Sequence, residues 1–107
     1  MRVVDMMLAS VLVTGALGAC ARGEVREIGG VRIGEDERGL WARATLPADS
    51  AVKLALARVP GGRITEAELE EEDGRLVYSF DVTIEGTGDR EVHVDARTGE
   101  IVKVEND

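Results

Sequence analysis

Few side chains in this chain are equipped for chemistry. His93 is the single histidine and Cys20 the single cysteine among 107 residues. The strand alternation described below predicts Asp81 directly opposite His93 on an outward face, with Lys103 flanking it on the other side. An Asp–His pair can form half of a relay that activates a nucleophile. Beyond the first nineteen residues, however, the hydroxyl nucleophiles of serine type are only Ser50 and Ser79. Three titratable groups on an open sheet face are more often a solvated cross-strand charge cluster, so no catalytic residue is assigned and the chain is read as non-enzymatic.

The acidic run Glu66, Glu68, Glu70, Glu71, Glu72 and Asp73 invites a cation-site reading. Calcium needs converging oxygens from a loop of defined spacing, and the run lacks the EF-hand arrangement. Alternate glutamates on a strand share a face but stand about 6–7 Å apart. The run therefore reads as a solvated strand face that blocks aggregation. An envelope module that binds or senses cations through its acidic surface is kept as the alternative function. No phosphate loop, Cys-x-x-Cys pair or His-rich spacing occurs, so neither a cofactor nor a metal ligand set is expected.

Cys20 closes a distinctive opening segment. Arg2 begins it, Met6 to Leu17 is nearly unbroken apolar sequence, and Gly18 and Ala19 precede the cysteine. A short apolar stretch ending in small residues reads as an export signal over 1–19, too short to span a bilayer comfortably. Leu17-Gly18-Ala19-Cys20 resembles the lipobox of bacterial lipoproteins, which implies that Cys20 is acylated and becomes the new N-terminus. Ala21 after the cysteine, by the same resemblance, favours the outer membrane on the periplasmic side. Acyl chains contribute about 0.8 kcal/mol per buried methylene, and stable anchoring takes more than one.

The formal net charge is −8, and Arg2 and Asp5 cancel, so removing the signal leaves it unchanged. Such a surface repels phosphate backbones and anionic headgroups, which excludes nucleic acid as a natural partner and leaves the lipid anchor as the sole membrane contact.

The elements that position these groups follow from patterning. Residues 20–44 mix glycines with charges and read as a tether after the lipidated cysteine, although weak alternation from Val25 to Ile33 allows a short edge strand. Trp41 is expected to cover one end of a small core. Thr45 or a neighbour caps a helix with Pro47 and Asp49 in its first turn. Ala48, Val52, Ala55 and Val59 share its apolar face, with Ala51 and Leu54 beside them, and Pro60 stops it. Strands follow over about 63–72, 75–84, 90–96 and 100–105, with Asp73-Gly74 as a strong hairpin signal. Facing apolar with apolar residues pairs Leu69 with Tyr78 and Ala67 with Phe80, with a bulge near Thr65 that brings Ile64 inward. A five-residue loop from Glu85 to Asp89 pairs Val82 with Val92 and Phe80 with Val94. A loop at Arg97-Thr98-Gly99 pairs Val94 with Val102 and Val92 with Val104. The expected fold is α+β: one helix on an antiparallel sheet of about four strands.

Ala51 to Ala57, Val59-Pro60-Gly61-Gly62, Glu66 to Tyr78 and Val92 to Ile101 together resemble the PepSY domain. The match covers Thr45 to Glu105, within a domain drawn as 45–107. Its most specific elements are the Pro-Gly-Gly after the helix and Asp95-Ala96-Arg97-Thr98-Gly99-Glu100. The resemblance implies an extracytoplasmic binding module whose partner is an exported protein, such as a peptidase that it restrains. No peptidase domain follows it here, and the sequence names neither the partner nor an oligomeric state.

Overall fold

The computed structural model describes residues 23–36 and 38–106. Six strands and one α-helix are present among them: β1 (Val25–Ile28), β2 (Val31–Glu35), a 3-10 turn (Leu40–Arg43), α1 (Ala48–Arg58), β3 (Arg63–Glu72), β4 (Arg75–Ile84), β5 (Gly88–Asp95) and β6 (Ile101–Asn106). The strands form one sheet in chain order, antiparallel except between β2 and β3. The fold is therefore α+β with a six-stranded mixed sheet, larger than the four-stranded antiparallel sheet expected.

The two extra strands come from the segment read as a tether. Gly29 and Gly30 both take positive φ, 55° and 85°, and close a two-residue hairpin that pairs Ile28 with Val31. Gly-Gly at a two-residue spacing is a hairpin signal in its own right. Read within a stretch that mixes glycines with charges, the same pair suggests only a flexible tether. The chain then leaves β2, crosses through the 3-10 turn and α1, and enters β3 parallel to β2, a pairing that only a long crossover permits. Ile33 and Leu40 are fully buried and Trp41 nearly so, which places this segment in the core. The signal at 1–19 and Cys20 lie outside the described residues.

α1 presents Ala48, Ala51, Ala55 and Val59 to the sheet. Val52 packs only partly against the core and Leu54 points mostly outward, so the stripe is rotated from the one expected. Pro47 occupies the cap position without a side-chain cap. Thr45 does not cap the helix, because its hydroxyl donates to the Arg97 carbonyl at 3.4 Å. The Pro-Gly-Gly that follows has a separate reason for each glycine. Gly61 adopts φ of 81°, open to glycine at no steric cost. Gly62 lies so close to the Val82 side chain that an added Cβ would collide with it, and would crowd Val59 as well.

Beneath α1, β4 turns Leu76, Tyr78, Phe80 and Val82 inward. Trp41, Tyr78 and Phe80 form a row with successive ring centroids 6.2 Å apart, and the Tyr78 hydroxyl donates to the Leu46 carbonyl at 2.9 Å. The β3–β4 register is the one expected, including the shift between Ile64 and Glu66 that pairs Ile64 with Val82. The β4–β5 register is not. A turn at Glu85-Gly86-Thr87 pairs Ile84 with Gly88, Phe80 with Val92 and Tyr78 with Val94, a slip of two residues from the longer loop. In β6, Val92 faces Val104 as expected, but a register shift pairs Val94 with Ile101 and leaves Val102 without an opposite residue.

Phe80→Ala should cost about 3–5 kcal/mol through lost burial and a residual cavity. Urea unfolding would read this as a collapse of the midpoint, and an unchanged midpoint would contradict the core drawn here. Gly62→Ala should cost about 1–3 kcal/mol from overpacking against Val82, seen as a lower thermal midpoint than in Gly34→Ala, where the backbone is ordinary and the added methyl group meets only the Val25 side chain at 4.0 Å.

Candidate functional site

The face of the sheet turned away from α1 carries a cluster of titratable groups. β3 contributes Glu66, Glu68, Glu70 and Glu72. β4 contributes Ser79 and Asp81, β5 contributes Glu91 and His93, and β6 contributes Lys103. Because the β4–β5 register slips by two, Ser79 stands opposite His93 and Asp81 opposite Glu91. Lys103 stands opposite His93 on the other side, as expected.

His93 is not the surface residue that this face suggests, since its side chain is only 2% exposed. Glu72 Oε1 lies 3.0 Å from Nδ1, and Glu91 Oε2 lies 3.0 Å from Nε2. Their carboxyl groups close over the ring from both ends. Ser79 Oγ approaches the same Nε2 at 3.3 Å and Glu91 Oε2 at 3.4 Å. Ser79, His93 and Glu72 thus stand in the order nucleophile, base and orienting acid. Yet Glu91 is closer than Ser79 to the nitrogen that would have to accept the proton. A ring donating to two carboxylates has no lone pair left for it. The neighbouring backbone of β4 and β5 is committed to the ladder, which supplies no pair of free N–H groups for an oxyanion. The arrangement is a hydrogen-bonded strut tying β3, β4 and β5 together.

Charge is unevenly relieved along this face. The His93 hydrogen bond holds the Glu91 carboxyl below its usual range, against burial that pushes it up, with Lys103 and Ser79 adding to the lowering. Glu70 is pushed up by burial first and then by the Glu68 charge, against the pull of His93. Asp81 is also pushed up, by burial, by its hydrogen bond with Glu66 and by nearby carboxylates. A shallow groove of about 280 Å³ runs between Glu66, Glu68, Glu70, Ser79, Asp81 and Glu91. Among the described residues, no group of three or more His, Cys, Asp and Glu side chains is arranged to hold a metal ion. Glu71, alone in the acidic run, faces the other way and pairs with Arg38 at 3.1 Å and Arg43 at 2.9 Å.

A second, larger groove of about 760 Å³ lies between the β1–β2 hairpin and the start of α1. Trp41, Leu46, Ala48 and Tyr78 line it, with Arg26 and Lys53 among its polar residues. Arg26 stacks over the Trp41 ring at 4.5 Å, and the buried indole N–H has no acceptor. Trp41 is therefore a core residue with one unmet bond, and not an exposed anchor.

The turn after β5 is built by Asp95. Its Oδ1 accepts the Arg97 and Thr98 backbone N–H groups at 2.7 and 2.9 Å, and Gly99, at φ of 84°, completes the reversal. Burial pushes the Asp95 carboxyl up, but the Thr98 and Arg97 bonds and the Arg75 charge outweigh it and hold the group low. The Asp-Ala-Arg-Thr-Gly-Glu sequence thus has a structural purpose at each end, as does Pro-Gly-Gly. Residues 45–105, more than half the chain, match the family model described as "Peptidase propeptide and YPEB domain", PepSY. The chain belongs to the PepSY family. It is also similar to the "Uncharacterized protein YkoJ" of Bacillus subtilis (strain 168), 29% identical over 65 residues, covering 61% of this chain and 38% of that protein. The chain thus spans well under half the length of that relative. No solved structure matches it.

Glu91→Gln should weaken the PepSY sheet by about 1 kcal/mol at neutral pH through loss of a charge-assisted hydrogen bond. Because the folded carboxyl is held low, its stabilisation is present above the unfolded carboxylate range, near pH 4.3, and is lost as pH falls through the folded value. Urea midpoints of wild type and variant should therefore converge toward acid pH, and a gap constant with pH would sink this assignment.

Proposed function

We propose that this chain is an exported, non-enzymatic PepSY binding module, held at the membrane through Cys20, that restrains an extracytoplasmic peptidase. The observation that carries the reading is the family match over residues 45–105. PepSY domains are typically extracytoplasmic and resemble propeptides or inhibitors more than catalysts. The interior chemistry is in keeping with such a role. The most catalyst-like trio, Ser79, His93 and Glu72, is tied up by Glu91 at 3.0 Å. No helix among the described residues is long and apolar enough to cross a membrane, so in this reading Cys20 and its acyl chains supply the attachment, with the outer membrane as the favoured location.

The test for restraint is a set of exported peptidases from the same cell envelope assayed with and without the purified chain. Saturable loss of peptide hydrolysis by at least one of them is expected, with unchanged hydrolysis throughout counting against the proposal. For the anchor, membrane fractionation of wild type and Cys20→Ala should show the variant leaving the membrane fraction and retaining unprocessed mobility. Recovery of both proteins in the same fraction with equal processing would remove the lipid from the proposal.

A further inference from the structure

We propose that β6 is the seat of a symmetric dimer, in which the β6 strands of two copies pair antiparallel and join both sheets into one. β6 is an edge of the sheet, so the outer side of its backbone meets no further strand among the described residues. α1 lies across β4 and β5. Val104, paired with the buried Val92, is therefore on the helix side but 37% exposed, as is Val102. Leu54 on α1 is 38% exposed, and its side chain reaches Gly99 just before β6. Three of the four large apolar residues exposed among the described residues thus border one uncovered strip along this edge.

The charges select a second copy and one register. Paired residues of neighbouring strands point to the same face, so a twofold axis must lie midway between one residue of β6 and its own copy. Centred on Lys103, it would oppose Lys103 with Lys103; centred on Glu105, it would oppose two glutamates. Centred on Val104, it sets Val104 against Val104 on the helix side and Lys103 against Glu105 twice on the outward face. Opposite charges directly across a strand pair attract and like charges repel. Within one chain Lys103 Nζ and Glu105 Oε1 are 3.9 Å apart and both side chains are more than a third exposed. That loose contact leaves both free to pair across the axis. A twofold contact also consumes both β6 edges, which closes the assembly.

The test uses the full chain carrying Cys20→Ser, so that any introduced cysteine is the only one. With V104C, mild oxidation by oxidised glutathione should trap a disulfide-linked dimer, because facing Cβ atoms of an antiparallel pair lie about 4.5–5.5 Å apart. V102C, which faces Asn106 in this register, should stay largely monomeric. Without the cysteines, K103E should weaken dimerisation in sedimentation by roughly tenfold, and K103E/E105K should restore it, with circular dichroism confirming that each variant is folded. A monomer at every concentration, equal cross-linking of V102C and V104C, or failure of the charge swap to restore association would each overturn the proposal.

Discussion

The close seating of α1 on β4 is the constraint from which most of the structure follows. Its contact face is Ala48, Ala51, Ala55 and Val59, small enough for the helix to approach the row of Tyr78, Phe80 and Val82. Gly62 allows that approach to continue into β3 by leaving room for the Val82 side chain. A helix is about 10 Å across with its side chains, whereas neighbouring strands are about 4.8 Å apart. One helix therefore cannot roof six strands. Leu40 and Trp41 extend the cover toward β3, while among the described residues nothing comparable extends it over β6. The buried end and the bare end of the sheet have the same geometric origin.

The opposite face is governed by charge rather than packing. Four glutamates of β3 stand beside Asp81 and Glu91, with the His93 ring hydrogen-bonded between Glu72 and Glu91 and Lys103 acting on Glu91 from the far side. Burial of His93 between Glu72 and Glu91 places one hydrogen-bonding ring where it touches three strands, and this makes the only histidine a structural element. The same geometry explains why Glu91 and Glu70 depart in opposite directions: Glu91 accepts directly from the ring, whereas Glu70 feels it only at a distance and sits among carboxylates. Where such carboxylates stand together, at Glu66 and Asp81, the two side chains share a hydrogen bond, and burial with that contact makes Asp81 hold its proton more readily.

Much of this was legible in the sequence where local chemistry leaves one choice. Asp73-Gly74 sets the β3–β4 register, and Ile64 then requires the bulge at Thr65. The β4–β5 pairing was misread because matching apolar faces detects a slip of one residue but is blind to a slip of two. Phe80 is equally well placed against Val92 or Val94. The outward face has no such tolerance, and the same slip exchanges Asp81 for Ser79 as the neighbour of His93. Burial of His93 was hidden for a different reason: long Glu72 and Glu91 side chains bend over it, and alternation says nothing of their rotamers. Val102 and Val104 were expected beneath α1 because periodicity gives the face of a residue and not the width of what covers it.

The β1–β2 hairpin also alters what the family match means for this chain. The matched residues, 45–105, begin after the hairpin, so they contain α1 and β3 to β6 alone. Cut to that segment, the sheet would present β3 as an edge, and the core would lose Ile33, Leu40 and Trp41. In the intact chain β2 pairs with β3 in parallel at Gly34 and Glu35, and Glu35 also accepts the Trp41 backbone N–H at 2.6 Å. That one carboxylate links the added hairpin to the turn that roofs the aromatic row. The folding unit is thus larger than the matched unit, and its N-terminal addition occupies an edge on which a foreign strand would otherwise pair. Among the described residues, strand addition is left to the outer sides of β1 and β6. Of these, only β6 adjoins the apolar strip that α1 leaves uncovered.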